Sequence, residues 1–125
     1  MDPIGYRRWA IAEGFIPGES ASDDDPALQS HETACILNAT NDDAHVALTV
    51  FFSDRDPAGP YAIDVPGRRS VHVRFNDLTD PEPLPRDTDY ASVLESDVPI
   101  VVQHTRLDTR RVEKALLSTI AYAGD

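Results

Sequence analysis

The segment Ser96-Asp97-Val98-Pro99-Ile100-Val101-Val102-Gln103-His104-Thr105-Arg106-Leu107-Asp108 leaves this chain few architectures. Ser-Asp-Val-Pro is turn chemistry, and proline, with no N–H to give to a ladder, stands at a strand's first residue or on an edge. The β-branched run that follows reads as a strand beginning at or just after Pro99. In a regular strand Ile100, Val102, His104 and Arg106 project to one face, and Val101, Gln103, Thr105 and Leu107 to the other. Both faces start apolar and end polar. That predicts a strand covered on two sides at its start and open onto a polar site at its far end.

Alternation of the same kind recurs along the chain. Arg7 to Glu13 predicts a strand with Trp9 and Ile11 inward, closed by Gly14. Residues 17–28, bounded by Pro17 and Pro26 and holding three adjacent aspartates, read as a mobile acidic loop, because like charges at that density stay solvated. Glu32 to Asn38 predicts a second strand, with Thr33, Cys35 and Leu37 on one face and Glu32, Ala34 and Ile36 on the other. Val46 to Phe52 predicts a third, and the short Asn41-Asp42-Asp43 turn between them suggests a hairpin. Tyr61 to Val65 is a strand ended by Pro66-Gly67. In the next, Ser70 to Asn76, Val71, Val73 and Phe75 point inward and His72, Arg74 and Asn76 outward. Residues 77–89 form a proline-rich loop, long enough to be functional or covered by a partner. Tyr90 to Glu95 is a short strand that Ser96 to Pro99 turns into the next. At the C-terminus Val112, Ala115, Leu116, Thr119, Ile120 and Ala123 fit a helical stripe, while Leu117 to Tyr122 also reads as a strand. The strand is favoured, with at most one helical turn before it, because a sheet edge needs a closing partner. About nine extended segments without internal repeat predict one all-β domain over residues 1–125, an antiparallel two-sheet sandwich of jelly-roll or Greek-key type.

Charge narrows the function classes. With 125 residues, 22 acidic against 11 basic side chains give a formal net charge of −11. Such a chain as a whole repels nucleic acid and anionic lipid and is drawn to basic surfaces. Small basic groups at Arg68-Arg69 with Arg74, and at Arg106 with Arg110-Arg111, stand beside that excess, so nucleic acid is a disfavoured partner. A lone Cys35 excludes an internal disulfide and reads as a small buried hydrophobe. No apolar run approaches the roughly 18 residues of a membrane span, and no signal-peptide pattern opens the sequence, which predicts a soluble cytoplasmic protein.

Enzyme signatures are missing: there is no G-x-S-x-G, phosphate loop, Rossmann glycine pattern or H-E-x-x-H, the last broken after His31-Glu32 by Ala34 and Cys35. No catalytic residue and no cofactor are expected. His31, Glu32, His72 and His104 are the competent metal ligands, with His31, Glu32 and His104 the foremost candidates. Their scattered spacing argues against a site. Calcium at Asp54 and Asp56, or at Asp23 to Asp25, fits worse, because neither segment repeats the ligand pattern of a calcium loop. What remains is a binding surface. His72, Arg74, Asn76 and Asp77 are expected to join His104 and Arg106 in one polar patch suited to carboxylates or sugar hydroxyls. The bland alternative is that the arginines pair with the chain's own carboxylates.

Several blocks together resemble the sensory rhodopsin transducer family. They are Trp9 to Pro17 (WAIAEGFIP), Ser30 to Asn38 (SHETACILN), Asp43 to Val46, Gly59 to Tyr61, His72 to Leu78 (HVRFNDL), Asp87 to Val93, Val98 to Asp108 and Leu116 to Tyr122. The resemblance runs nearly end to end, with the acidic loop from Glu19 to Asp25 as the main departure. It implies a jelly-roll β-sandwich assembling as a cyclic homotetramer, free in the cytoplasm. It further implies a signalling adaptor that docks on the cytoplasmic side of a retinal-containing sensory rhodopsin. The alternative for such a sandwich is a small-molecule or carbohydrate-binding module with no rhodopsin partner.

Overall fold

The computed structural model describes residues 3–22, 24–111 and 113–124. Eight strands follow in order: β1 (Tyr6–Ile11), β2 (His31–Asn38), β3 (Ala44–Phe52), β4 (Ala58–Val65), β5 (Arg69–Arg74), β6 (Tyr90–Asp108), β7 (Ala115–Ile120) and β8 (Tyr122–Ala123). Single 3-10 turns occupy Pro26–Leu28 and Phe75–Asp77. The fold is all-β and every strand pair is antiparallel.

The two layers are joined by β6. Its first half lies between β3 and β1 in a sheet of order β4-β3-β6-β1-β8. Its second half lies between β2 and β7, and β2 carries β5 on its other side. The stretch Ser96 to Pro99 is therefore not a turn between two strands, as the sequence suggests, but the corner of one long strand. Tyr6 pairs with Ile100 and Arg8 with Glu95, so a single residue of β1 spans the distance that Ser96 to Pro99 span on β6. This wide bulge suits Pro99, which has no N–H to contribute to a ladder there. Trp9 secures the corner from inside: it is buried, and its indole N–H lies 2.9 Å from both the Tyr6 and the Ile100 carbonyl oxygens. Gly5 passes so close that a Cβ would sit 2.2 Å from the Ile100 oxygen, and its φ of +114° is one that side-chain-bearing residues avoid.

Outside the corner, Asp97 accepts from the His45 backbone N–H at 2.8 Å and holds the His45 ring Nδ1 at 2.7 Å. The hydrogen bond to Asp97 and that group's charge, with Asp64 and Asp43 adding, raise the His45 pKa, and the same bonds lower that of Asp97. Any stability from the raised imidazole is complete below its unfolded pKa and lost as pH rises through the folded value. Stability from the lowered carboxylate is lost as pH falls through its own folded value. In an NMR titration His45 is expected to titrate above the ordinary histidine range and to return to it in Asp97→Asn. An unchanged midpoint in that variant would refute the assignment.

Burial follows parity along β3, β4 and β6, whereas every residue of β7 is exposed. Val46, Leu48 and Val50 of β3, Tyr61, Ile63 and Val65 of β4, and Leu94, Ile100 and Val102 of β6 form one core with Trp9, Ile11, Ala34, Ile36 and Phe75. Large apolar side chains buried this way each contribute about 1.5–3 kcal/mol. The expected hairpin of β2 and β3 does not form, because β2 pairs with β5 and β6, and β3 with β4 and β6. The reason is Asn38, wholly buried, whose side-chain N–H groups go to the Asp42 and Val65 carbonyls while its oxygen accepts from Thr40. The Asn/Asp stretch is thereby a bridge between layers rather than a reversal within one.

The C-terminal segment is extended, as favoured, but divided. β7 pairs with β6 in the second layer, Ala121 donates to the Val102 carbonyl, and β8 pairs with β1 in the first layer. The helical turn left open before it lies partly outside the described residues, at Val112. The proline-rich loop is anchored on its own domain, though most of it is exposed: Leu84 is buried, Tyr61 donates to the Glu82 carbonyl at 2.6 Å, and Glu82 pairs with Arg55. The acidic loop is tied through Ser20 to Ser30 and through Ala21 to Thr109. Among the described residues no helix is long and apolar enough to cross a membrane.

Candidate functional site

Strand parity decides where each candidate side chain goes. On β2 the inward positions are Glu32, Ala34, Ile36 and Asn38, and the register sets Ala34 opposite His104 and Glu32 opposite Arg106. His104 and Arg106 therefore share the inner face with Ile100 and Val102. His72 and Arg74 pair with Cys35 and Thr33, on the outer face of the same layer. The single patch expected from the sequence is thus divided by the sheet itself.

Inside, two of the three disfavoured metal candidates, Glu32 and His104, meet in a buried hydrogen bond. Glu32 is 0% exposed, and its Oε1 lies 2.7 Å from Nε2 of His104, itself 3% exposed. The other oxygen, Oε2, accepts from the Phe15 backbone N–H at 2.6 Å and from Arg106 Nε at 2.8 Å. Arg106 continues outward to Glu13, with Nη2 3.0 Å from Oε1. Burial by itself would raise the Glu32 pKa, but the hydrogen bonds from His104 and Phe15 and the Arg106 guanidinium outweigh it, and the net direction is down. Tyr90 packs against this cluster, and burial first, then the Glu32 charge, push its hydroxyl pKa far up. The arrangement fastens β2, β6 and the loop after β1 to one carboxylate whose lone pairs are taken.

His31, the third of those disfavoured candidates, projects to the opposite face, where its Nδ1 meets the Gln29 carbonyl at 2.8 Å. Among the described residues no group of three or more histidine, cysteine or carboxylate side chains has the placement to hold a metal. Asn76 stands at the 3-10 turn, giving its side-chain N–H to the Ser30 carbonyl and accepting from the Glu32 backbone N–H. Asp77 ends that turn, exposed. Arg74 is held by the Pro26 carbonyl and Gln29 Oε1. For Arg106 the bland alternative is the one observed, since its partners are the chain's own carboxylates Glu32 and Glu13, whereas Arg74 is held by neutral oxygens.

The outer face of the second layer has a composition of its own. Reading across the register, β5 offers Ser70, His72 and Arg74, β2 offers His31, Thr33, Cys35 and Leu37, β6 offers Val101, Gln103, Thr105 and Leu107, and β7 offers Leu116, Ser118 and Ile120. No carboxylate stands among them, in a chain with 22. A shallow groove of about 290 Å³ runs between Leu37, Cys35, His72, Val101 and Gln103. Cys35, expected to be buried, is half-exposed there. Leu116, Leu117, Ile120 and Tyr122 are all exposed, Leu116 at 71%. Sequence reasoning missed this face and also missed Glu13, Phe15 and Tyr90 around Glu32. The signal for the buried carboxylate was present in its sharing a face with Ala34 and Ile36.

The sequence and the fold are similar to those of known proteins. The sequence matches the family described as Anabaena sensory rhodopsin transducer over residues 4–123. A solved structure of the Anabaena sensory rhodopsin transducer is 55% identical, with a TM-score of 0.72, covering 84% of this chain and 100% of that one. The crystal structure of Thermotoga maritima 1070 is 31% identical, with a TM-score of 0.84, and 95% of each chain is covered. No curated protein matches the chain. Because the family match spans residues 4–123, from before β1 to the end of β8, and the solved relative is 55% identical, the chain belongs to the Anabaena sensory rhodopsin transducer family.

Proposed function

We propose that this protein is a non-enzymatic signalling adaptor that works free in the cytoplasm, docks on the cytoplasmic side of a microbial sensory rhodopsin and relays its signal. The observation that carries this reading is the family match over residues 4–123. The net charge of −11 supports it physically. Cytoplasmic loops of membrane proteins carry excess Lys and Arg, and an acidic partner is steered toward them. We propose further that the working form is a homotetramer. Copies of so acidic a chain repel one another over most of their surface, and the carboxylate-free outer face of the second layer, with the apolar β7 edge, offers a region where they meet without that cost. His72 and Arg74, on the same face, then stand at or beside a contact between copies rather than in a ligand site shared with His104 and Arg106.

Co-sedimentation with rhodopsin-containing membranes, at low and at high salt, tests the docking. Capture is expected at low salt and should fall by about tenfold or more between roughly 50 mM and 0.5 M salt, as exposed charges become screened. Capture that ignores salt would remove the electrostatic account, and no capture at either would remove the receptor.

A further inference from the structure

Where β1 runs out, β3 ends and β6 begins, a cleft of about 370 Å³ opens at the end of the sandwich, walled by Glu13, Phe51, Phe52, Asp89 and Tyr90. No lysine or arginine lines it. Phe51 stands on the outer side of β3 opposite Ala91 and is 42% exposed, while Glu13 and Asp89 bring two exposed carboxylates to the same opening. A benzyl ring held in water beside two negative charges is the combination that attracts a cation to an aromatic face.

The chain shows what these walls accept. On one margin the Arg55 guanidinium lies 4.6 Å from the centre of the Phe52 ring. On another, Arg106 reaches Glu13 Oε1 at 3.0 Å. Each wall type, ring and carboxylate, thus already receives an internal arginine, while Phe51 and Asp89 receive none among the described residues. Guanidinium suits this geometry better than ammonium, because it is planar, weakly hydrated and donates along its edge while stacking with its face.

We propose that the cleft is a docking pocket for an arginine side chain of a partner protein, with the guanidinium on the Phe51 ring and its N–H groups toward Asp89 and Glu13. Only the naming of that partner, a basic cytoplasmic loop of the receptor, rests on the docking function proposed above. The recognition chemistry is the cleft's own.

The test is an NMR titration of the full chain with a capped Arg-Ala-Arg peptide and with its citrulline counterpart, which keeps the shape and removes the charge. Saturable shifts are expected at the amides of Glu13, Phe51 and Asp89 to Ala91 with arginine and not with citrulline. Affinity should weaken by about tenfold in Phe51→Ala, and similarly in Asp89→Asn. Both positions are exposed, so the variants should retain the wild-type spectrum elsewhere. Shifts confined to other surfaces, an equal response to citrulline, or unchanged affinity in both variants would overturn the pocket. Because the titration needs no receptor, failed membrane capture with an intact titration counts against the rhodopsin partner alone, and the reverse result against the cleft alone.

Discussion

Glu32→Ala is expected to destabilise the fold by about 3 kcal/mol, read from the urea midpoint at constant slope. Removing one member of a buried ion pair leaves its partner charged or polar with nothing to face, and typical losses are about 3–5 kcal/mol. The lower end applies because Arg106 keeps Glu13, whereas His104 stays buried without its acceptor. The Phe15 N–H also loses its partner, so the loop after β1 should loosen in the same variant. The pH dependence carries a definite sign. The folded-state pKa of Glu32 lies below its unfolded value, so its contribution is present above the unfolded value and lost as pH falls through the folded one. Wild-type stability should therefore decline on acidification more steeply than that of Glu32→Gln. A loss below about 1 kcal/mol in Glu32→Ala would mean that the pair does not carry the weight its burial implies.

Trp9→Ala is expected to cost about 3–5 kcal/mol, the range for emptying a large aromatic from a packed core. Trp9→Phe separates the two things this side chain does. The ring still fills most of the space, but the carbonyls of Tyr6 and Ile100 lose their shared donor at the corner of β6. About 1–2 kcal/mol is the expected loss, as for a buried acceptor left without a partner. Equal stability of Trp9→Phe and wild type would show that the indole N–H does not hold the corner. Equal losses in both variants would show that packing contributes little beside it.

Much of this architecture was legible from alternation alone, and the failures share a cause. Parity correctly put Trp9 and Ile11 inward on β1, and His104 and Arg106 on the face of Ile100 and Val102. Alternation is a local property, however, and says nothing about which strand lies alongside. The hairpin expected between β2 and β3 failed for that reason: the neighbours of β2 are β5 and β6, both remote from the turn in sequence, and the buried amide of Asn38 ties the turn to Val65. The Ser96 to Pro99 corner failed similarly, since turn residues and a bulge within one strand look alike until the partner strand is known.

The site was only half legible. His72 and Arg74 were read as outward-facing, which they are, and His104 and Arg106 as belonging to one face of their strand, which they do. Joining the two pairs into a patch required them to share a surface, and the register of β2 with both neighbours puts a sheet between them. Glu32 carried the information needed to see this. A carboxylate alternating with Ala34 and Ile36 either faces water with them or is buried with them, and the His and Arg across the ladder make burial tolerable.

The corner in β6 has a consequence for how the domain comes apart. One uninterrupted backbone serves as the interior rung of both hydrogen-bond ladders, flanked by β3 and β1 in one layer and by β2 and β7 in the other. Dismantling either ladder strips the partners from half of the spine that the other ladder shares. The ladder amides on both sides of the corner, Leu94 and Glu95 on one and Val101 to Thr105 on the other, should therefore exchange with deuterium through a common opening, making the sandwich one cooperative unit rather than two stacked ones.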